Sequence, residues 1–303
     1  MALHTQTPLV LSNALSKLTG KNIWLKLDAL QPSGSFKNRG VGFACEHYAS
    51  KGANRFVSSS GGNAGLAVAY AARMLKLPAI VVVPQTTSVH AKKLLVLEGA
   101  EVIVHGASWQ EANELAQSML TSIDAFIHPF DNPLLWQGHA TMIDEVAAAG
   151  VKPDAVVLSV GGGGLMCGVI EGLLRNNMAD VPVIAVETEG AASLNLSVRA
   201  GELKALQAIT SIATTLGAKQ VCNKAFELTH THKVRSVVVS DADAVSACRL
   251  FLDDHRLLVE PACGAALSPV YQQLEVIQPY SNVLVVVCGG ASTTAEDLQS
   301  YKF

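Results

Sequence analysis

Seven short runs rich in valine and isoleucine limit what this chain can become. They lie at 55–59, 79–84, 101–105, 155–160, 183–187, 234–240 and 283–287. Each is bounded by Gly, Pro or Ser, as strands that end in turns are. Stretches of helical character separate them, at 64–76, 90–97, 110–119, 165–174, 242–254 and 262–274. Strand–helix alternation predicts an α/β fold with a mostly parallel sheet covered by helices on both faces.

A length of 303 residues implies about two domains. The strands between 55 and 130 can form a compact unit. HPFDNP, His128 to Pro133, is a turn-rich boundary. The expected division is a large domain of 1–41 and 131–303 with a small domain of 42–130 inserted in it. Each lobe is then a mostly parallel sheet flanked by helices, with a ligand cleft between them.

Composition removes several classes of function. Apolar residues make up 50% of the chain and charged residues 16%, with a mean hydropathy of +0.32. No apolar run reaches the roughly 18 residues that span a bilayer, so no membrane partner is expected. The net charge of -3 gives no electrostatic case for nucleic acid. The N-terminal stretch lacks the basic-then-apolar layout of a signal peptide. Six cysteines, with no CxxC pair, argue against a zinc or iron–sulfur site and against a disulfide framework. A reducing cytoplasm is the simplest location.

Three motifs can carry chemistry. In LSVGGGGLMCG, Leu158 to Gly168, a strand runs into four glycines and then an apolar helix. Bare amides at a helix N-terminus form an anion cradle suited to phosphate. The spacing fits neither GxGxxG nor a P-loop. SSSGGNAG, Ser58 to Gly65, also joins a strand to a helix, and its polar groups can converge on a carboxylate; the plain reading is a turn in which Ser60 caps the helix. PSGSFKNRG, Pro32 to Gly40, reads as a loop with Phe36 and Lys37 in its middle. A phosphate cradle, a carboxylate cradle and a lysine are what an amino-acid enzyme using pyridoxal phosphate requires.

PSGSFKNRG, SSSGGNAG, SVGGGGL, ETEGAAS, ITSIATTLG, VEPACGAAL and VVVCGG occur in this order. Together they resemble the fold-type II pyridoxal-phosphate enzymes of the serine/threonine dehydratase family, over nearly the whole chain. The short catabolic L-serine dehydratases are the most similar branch. The resemblance implies an ammonia-lyase acting on a small amino acid: L-serine, and also L-threonine, would give a 2-oxoacid and ammonia. By the same resemblance Lys37 would be the Schiff-base lysine and the base for the α-proton. Phe36 would cover one face of the cofactor ring. Gly161, Gly162, Gly163, Gly164 and Leu165 would bind the phosphate, and Asn63 the 3′-oxygen. Ser60, Gly61, Asn63 and Ala64 would surround the substrate carboxylate. Cys288 would face the pyridine nitrogen. Glu187, Ala191, Leu216 and Ala218 resemble a monovalent-cation site, for K+. Family precedent is a homodimer. Glu260 and His139 are read as structural.

Two positions depart from the pattern. Thr215 stands where a small apolar residue usually covers the other ring face, and its hydroxyl bears on cofactor position. Gly61 stands where serine racemases carry an acid/base serine, which disfavours racemization and bears on rate and substrate preference. The rival readings are threonine dehydratase proper, serine racemase, a β-replacing synthase, or a non-catalytic amino-acid-binding protein. The chain's end at Phe303 leaves no room for a C-terminal regulatory domain, so feedback by isoleucine is not expected.

Overall fold

The computed structural model describes residues 2–291 and 293–303. Along the chain run β1 (Leu9–Leu11), α1 (Asn13–Thr19), β2 (Asn22–Lys26), α2 (Lys37–Ser50), β3 (Arg55–Ser58), α3 (Asn63–Leu75) and β4 (Ala79–Val83). There follow α4 (Val89–Leu97), β5 (Glu101–Val104), α5 (Trp109–Ser118), β6 (Asp124–Phe126), α6 (Pro133–Ala148), β7 (Ala155–Ser159) and α7 (Gly164–Arg175). Then come β8 (Val183–Thr188), α8 (Ser193–Ala200), α9 (Asn223–Thr231), β9 (Val234–Val239), α10 (Asp241–His255), α11 (Pro261–Tyr271), β10 (Asn282–Val286) and α12 (Ala295–Ser300).

Among the described residues these strands form two sheets. One has the order β1-β2-β10-β7-β8-β9 and the other β5-β4-β3-β6. All neighbours are parallel except β1, which runs antiparallel to β2 with Leu9 opposite Lys26. β2 returns the N-terminal segment to the end of the chain, Asn22 opposite Asn282 of β10. Every predicted strand is present, with ends that differ by a residue. β7, β8 and β4 are buried along their whole length. That explains their unbroken apolar runs: helices cover both faces, so no position alternates to polar.

β1, β2, β6 and several helices go beyond the elements expected from the sequence pattern. β1 and β6 are three-residue edge strands, too short to show a period. The largest correction is at PSGSFKNRG, which is only half a loop. α2 begins on Lys37 itself and runs to Ser50. Its glycines, histidine and tyrosine blur any helical period, and packing on α3 and α6 decides its conformation.

A buried charge network anchors the start of α2. Arg39, fully buried, donates Nε to Asp28 Oδ2 at 2.6 Å and Nη1 to Glu145 Oε1 at 2.6 Å. Lys26 donates to Glu145 Oε2 at 2.5 Å, and Thr7 Oγ1 donates to Asp28 at 2.7 Å. Two cations face two carboxylates, so desolvation is offset by pairing and hydrogen bonds. The network joins the N-terminal segment, β2, α2 and α6 two residues beyond Lys37.

Candidate active site

The segment before α2 is stitched to the end of β10. The Phe36 N–H donates to Cys288 O at 2.8 Å, and the Gly290 N–H donates to Gly34 O at 3.1 Å. Gly34 has φ +76, and a Cβ there would lie 2.6 Å from Ala291 Cβ, so only glycine fits this approach. These contacts bring Lys37 beside the end of the central strand β10.

Lys37 keeps some exposure as a residue, while its amine is enclosed by protein atoms. The amine donates to Pro129 O and sits 5.1 Å from the centroid of the Phe36 ring. Burial pulls its pKa down to about 8, against the opposing influence of Cys288, Glu260 and Cys222. The adjoining Phe130 packs on the glycine loop, so Pro129 and Phe130 tie the amine to that loop.

β7 ends at Ser159, and Gly161 to Gly164 turn the chain into α7. A Cβ at Gly162 would lie 2.2 Å from the Phe130 ring, one at Gly163 2.4 Å from Ala225 Cβ, and one at Gly161 3.0 Å from Leu216 Cα. No side chain caps α7. The second loop behaves alike. A Cβ at Gly65 would lie 1.7 Å from Ser60 O, so only glycine lets the Ser60–Asn63 turn fold down onto α3. α3 has no side-chain cap either. Ser60 Oγ accepts the Gly62 N–H at 3.3 Å instead of capping the helix, which corrects the plain reading of that turn. By contrast α4, α5, α6, α10 and α12 are each capped by Ser, Asn or Thr. α2, α8, α9 and α11 also lack a side-chain cap, so what sets the two loops apart is the run of glycines that leaves their amides bare.

Asn63 starts α3. Its Nδ2 donates to Glu260 Oε1 at 2.7 Å, and its Oδ1 is buried with no partner. Ala64 is buried beside it. Gly61 lies under Thr87: a Cβ there would meet Thr87 Cγ2 at 2.7 Å and Oγ1 at 2.8 Å. Cys288 is buried, its Sγ 3.5 Å from Ser159 Oγ, and its hydrogen bond with the free Cys263 thiol together with burial raises its pKa and keeps it a neutral thiol. Thr215 lies in a single 3-10 turn, Thr214–Leu216, and its hydroxyl donates to Glu260 Oε1 at 2.9 Å.

Glu187 is the penultimate residue of β8 and accepts the Leu194 and Asn195 N–H groups of α8, each at 2.7 Å. Burial raises its pKa to about 7 in spite of those two bonds. The Ala191 N–H donates to Thr188 O at 3.0 Å, and the Ala218 N–H donates to Leu216 O at 2.7 Å, so each of these residues closes a local turn. Among the described residues no group of three or more His, Cys, Asp or Glu could hold a metal ion. His139 is fully buried and accepts the Gly40 N–H at 3.2 Å, its ring 4.9 Å from Phe36. Burial and the charges of Lys37 and Arg39 hold it neutral, in keeping with a structural role.

Glu260 was read as structural but stands inside the constellation, bonded to both Asn63 and Thr215. The signal that could have found it is a lone carboxylate opening the apolar stretch VEPACGAALSPV. Thr87 had no local signal, since only the fold brings it over Gly61.

The set fits a phosphorylated aldehyde cofactor. It offers an enclosed amine of lowered pKa, two uncapped helix starts, an unpartnered buried Asn63 Oδ1 and a neutral thiol. Comparison with known proteins agrees. A human protein named serine dehydratase-like is 48% identical over 99% of this chain and 94% of its own. Human L-serine dehydratase/L-threonine deaminase is 47% identical over 99% of this chain and 95% of its own. The crystal structure of a fungal L-serine ammonia-lyase from Rhizomucor miehei superposes with a TM-score of 0.94 at 39% identity, covering 99% of this chain and 98% of that one. The profile of the family described as pyridoxal-phosphate dependent enzyme matches residues 1–289, and with the fold and site above it places this chain in that family.

Proposed function

We propose that this protein converts L-serine, and L-threonine with it, to the 2-oxoacid and ammonia. The observation that carries the reading is the Lys37 amine. It is enclosed, weakly basic for a lysine, and fixed between the end of β10 and the Pro129–Phe130 segment that packs on the glycine loop. The names of the relatives support the same reaction.

When bound, pyridoxal phosphate supplies an aldehyde that takes up amines and a ring that accepts the electron pair released at the substrate α-carbon. The chain supplies the rest. Lys37 would hold the cofactor through its amine and would take the substrate α-proton; a pKa near 8 keeps part of the amine neutral at physiological pH. Gly161, Gly162, Gly163, Gly164 and the Leu165 amide hold the phosphate at the start of α7. Ser60, Gly61, Asn63 and Ala64 hold the substrate carboxylate at the start of α3, and Asn63 also meets the ring oxygen. Phe36 and Thr215 flank the ring. Cys288, kept as a thiol, would face the ring nitrogen and would leave it uncharged. Gly61 offers no proton to the opposite face of the substrate, which favours elimination over racemization.

The same reading extends to the assembly and setting. The lobes are 1–41 with 131–303, and 42–130, each built on one of the two sheets. A homodimer, by family precedent, and a reducing cytoplasm belong to this reading; the six free, buried cysteines fit a reducing setting. Glu187, Ala191, Leu216 and Ala218 would hold K+, and a cation would offset the cost of ionising the buried Glu187. The test is direct. Protein supplied with pyridoxal phosphate should develop the visible absorption of a lysine-linked cofactor and release pyruvate from L-serine. Lys37→Ala should lose both. A Lys37→Ala protein that still turns over serine refutes the role of Lys37; D-serine or a sulfide-replacement product in place of pyruvate refutes the reaction.

A further inference from the structure

One carboxylate joins parts of the site that come from three places in the chain. Glu260, 3% exposed, precedes α11 on the six-stranded side. Its Oε1 accepts Asn63 Nδ2 at 2.7 Å, from the start of α3 on the four-stranded side. The same oxygen accepts Thr215 Oγ1 at 2.9 Å. Thr215 also faces the serine loop, where a Cβ at Gly62 would meet its Cγ2 at 3.8 Å. The next residue, Leu216, packs against the glycine loop at Gly161. The Thr214–Leu216 turn therefore meets both anion loops, through Thr215 and Leu216 respectively, while the Thr215 hydroxyl is spent on Glu260.

We infer that Thr215 is a positioning residue: its hydroxyl fixes the Glu260 carboxylate, which in turn orients the Asn63 amide toward the cofactor ring. An amide side chain can present either its oxygen or its nitrogen to a neighbour. With Nδ2 bonded to a carboxylate, a flip would set Oδ1 against another acceptor, so one orientation is held. The Oδ1 left over is buried with no partner, where an unmet acceptor is costly. A ligand that meets this oxygen binds more tightly to an amide already oriented, because it pays no ordering cost. In this arrangement the hydroxyl of Thr215 acts at one remove and does not itself contact the ring.

This inference rests on the proposed contact between Asn63 and the cofactor. Its test compares Thr215→Val, which keeps the shape and removes the hydroxyl, with Thr215→Ser, which keeps the hydroxyl. Each holoenzyme is dialysed, and cofactor retention is followed with its absorption and emission spectra. Thr215→Val is expected to lose cofactor about tenfold faster, as for a lost hydrogen bond to a charged group. Its bound-cofactor spectrum should shift, and kcat should fall with little change in KM. Thr215→Ser should restore all three. Equal retention and spectra in wild type and Thr215→Val overturn the inference, as does a Thr215→Ser protein as impaired as Thr215→Val. A melting temperature of the cofactor-free Thr215→Val protein that falls in step with retention makes Thr215 a stabilising residue only, and also overturns it. The spectral comparison stands if the wild-type protein binds the cofactor but makes no pyruvate, so failure of the proposed reaction is seen separately.

Discussion

Alanine at position 61 should be tolerated only when Thr87 gives way. The backbone at Gly61 lies outside the left-handed region, so the substitution brings no conformational strain. Its Cβ, however, would sit 2.7 Å from Thr87 Cγ2, 2.8 Å from Thr87 Oγ1 and 3.2 Å from Val83 Cγ1. Comfortable carbon contacts are roughly 3.5–4.0 Å, so two atoms of Thr87 must move by most of an ångström. Overpacking of this degree costs about 1–3 kcal/mol, against a gain of about 0.4–1 kcal/mol from the stiffer unfolded chain. Gly61→Ala alone should therefore lose about 1–2 kcal/mol. In a Thr87→Ala background both close atoms are gone and only Val83 remains, so the same change should be near neutral. The double-mutant cycle should show a coupling of about 1–2 kcal/mol in urea unfolding of the cofactor-free protein. A coupling below about 0.5 kcal/mol, the range of independent sites, would show that Thr87 does not govern position 61.

Lys37→Met should stabilise the cofactor-free protein at pH 7 by roughly 1–3 kcal/mol, because burial disfavours the ammonium. A lysine whose folded pKa is lowered to about 8 penalises the fold fully below that pH, and the penalty disappears above its ordinary 10.5; urea unfolding at pH 7 and pH 11 should show the gain shrink. Arg39→Met should cost about 3–5 kcal/mol, since it strands the buried Asp28 without its cation and leaves Glu145 with Lys26 alone. Burial pushes Glu145 up, but Arg39 and Lys26 outweigh it and hold its pKa below the ordinary value. Its contribution is present above pH 4.5 and lost as pH falls further, and acid melts of wild type and Glu145→Gln should converge there. Glu187, raised to about 7 by burial, favours the fold when protonated and loses that contribution as pH rises through 7. If K+ occupies that site, its stabilising effect in thermal melts should grow between pH 6 and 8, and Glu187→Gln should abolish the trend.

The glycine and serine loops were legible because a close strand-to-helix turn demands backbone geometry, which leaves a mark in local sequence. Four adjacent glycines after a valine run can be read without any partner in view. Lys37 stood out only in company: alone it is a charge in a loop, and the two glycine-bearing loops are what single it out as a candidate. Its place on the first turn of α2 was not legible, because that helix is held by tertiary packing and by the Arg39 network. Glu260 shows the same limit from the other side. Its carboxylate marks the start of a helix, while its bonds to Asn63 and Thr215 span 197 and 45 residues.

By itself the sequence determined the class of fold and the kinds of group the site holds. Valine runs covered on both faces must lie in a buried parallel sheet, and bare glycine turns before helices must expose amides. The tertiary structure alone decided how those groups meet. It enclosed the Lys37 amine and so lowered its pKa, set Thr87 over Gly61, and gathered Asn63 and Thr215 on one carboxylate. Periodicity and turn chemistry act over a few residues and are written locally. Desolvation and cross-chain hydrogen bonds depend on which distant segments pack together, and those exist only once the chain has folded.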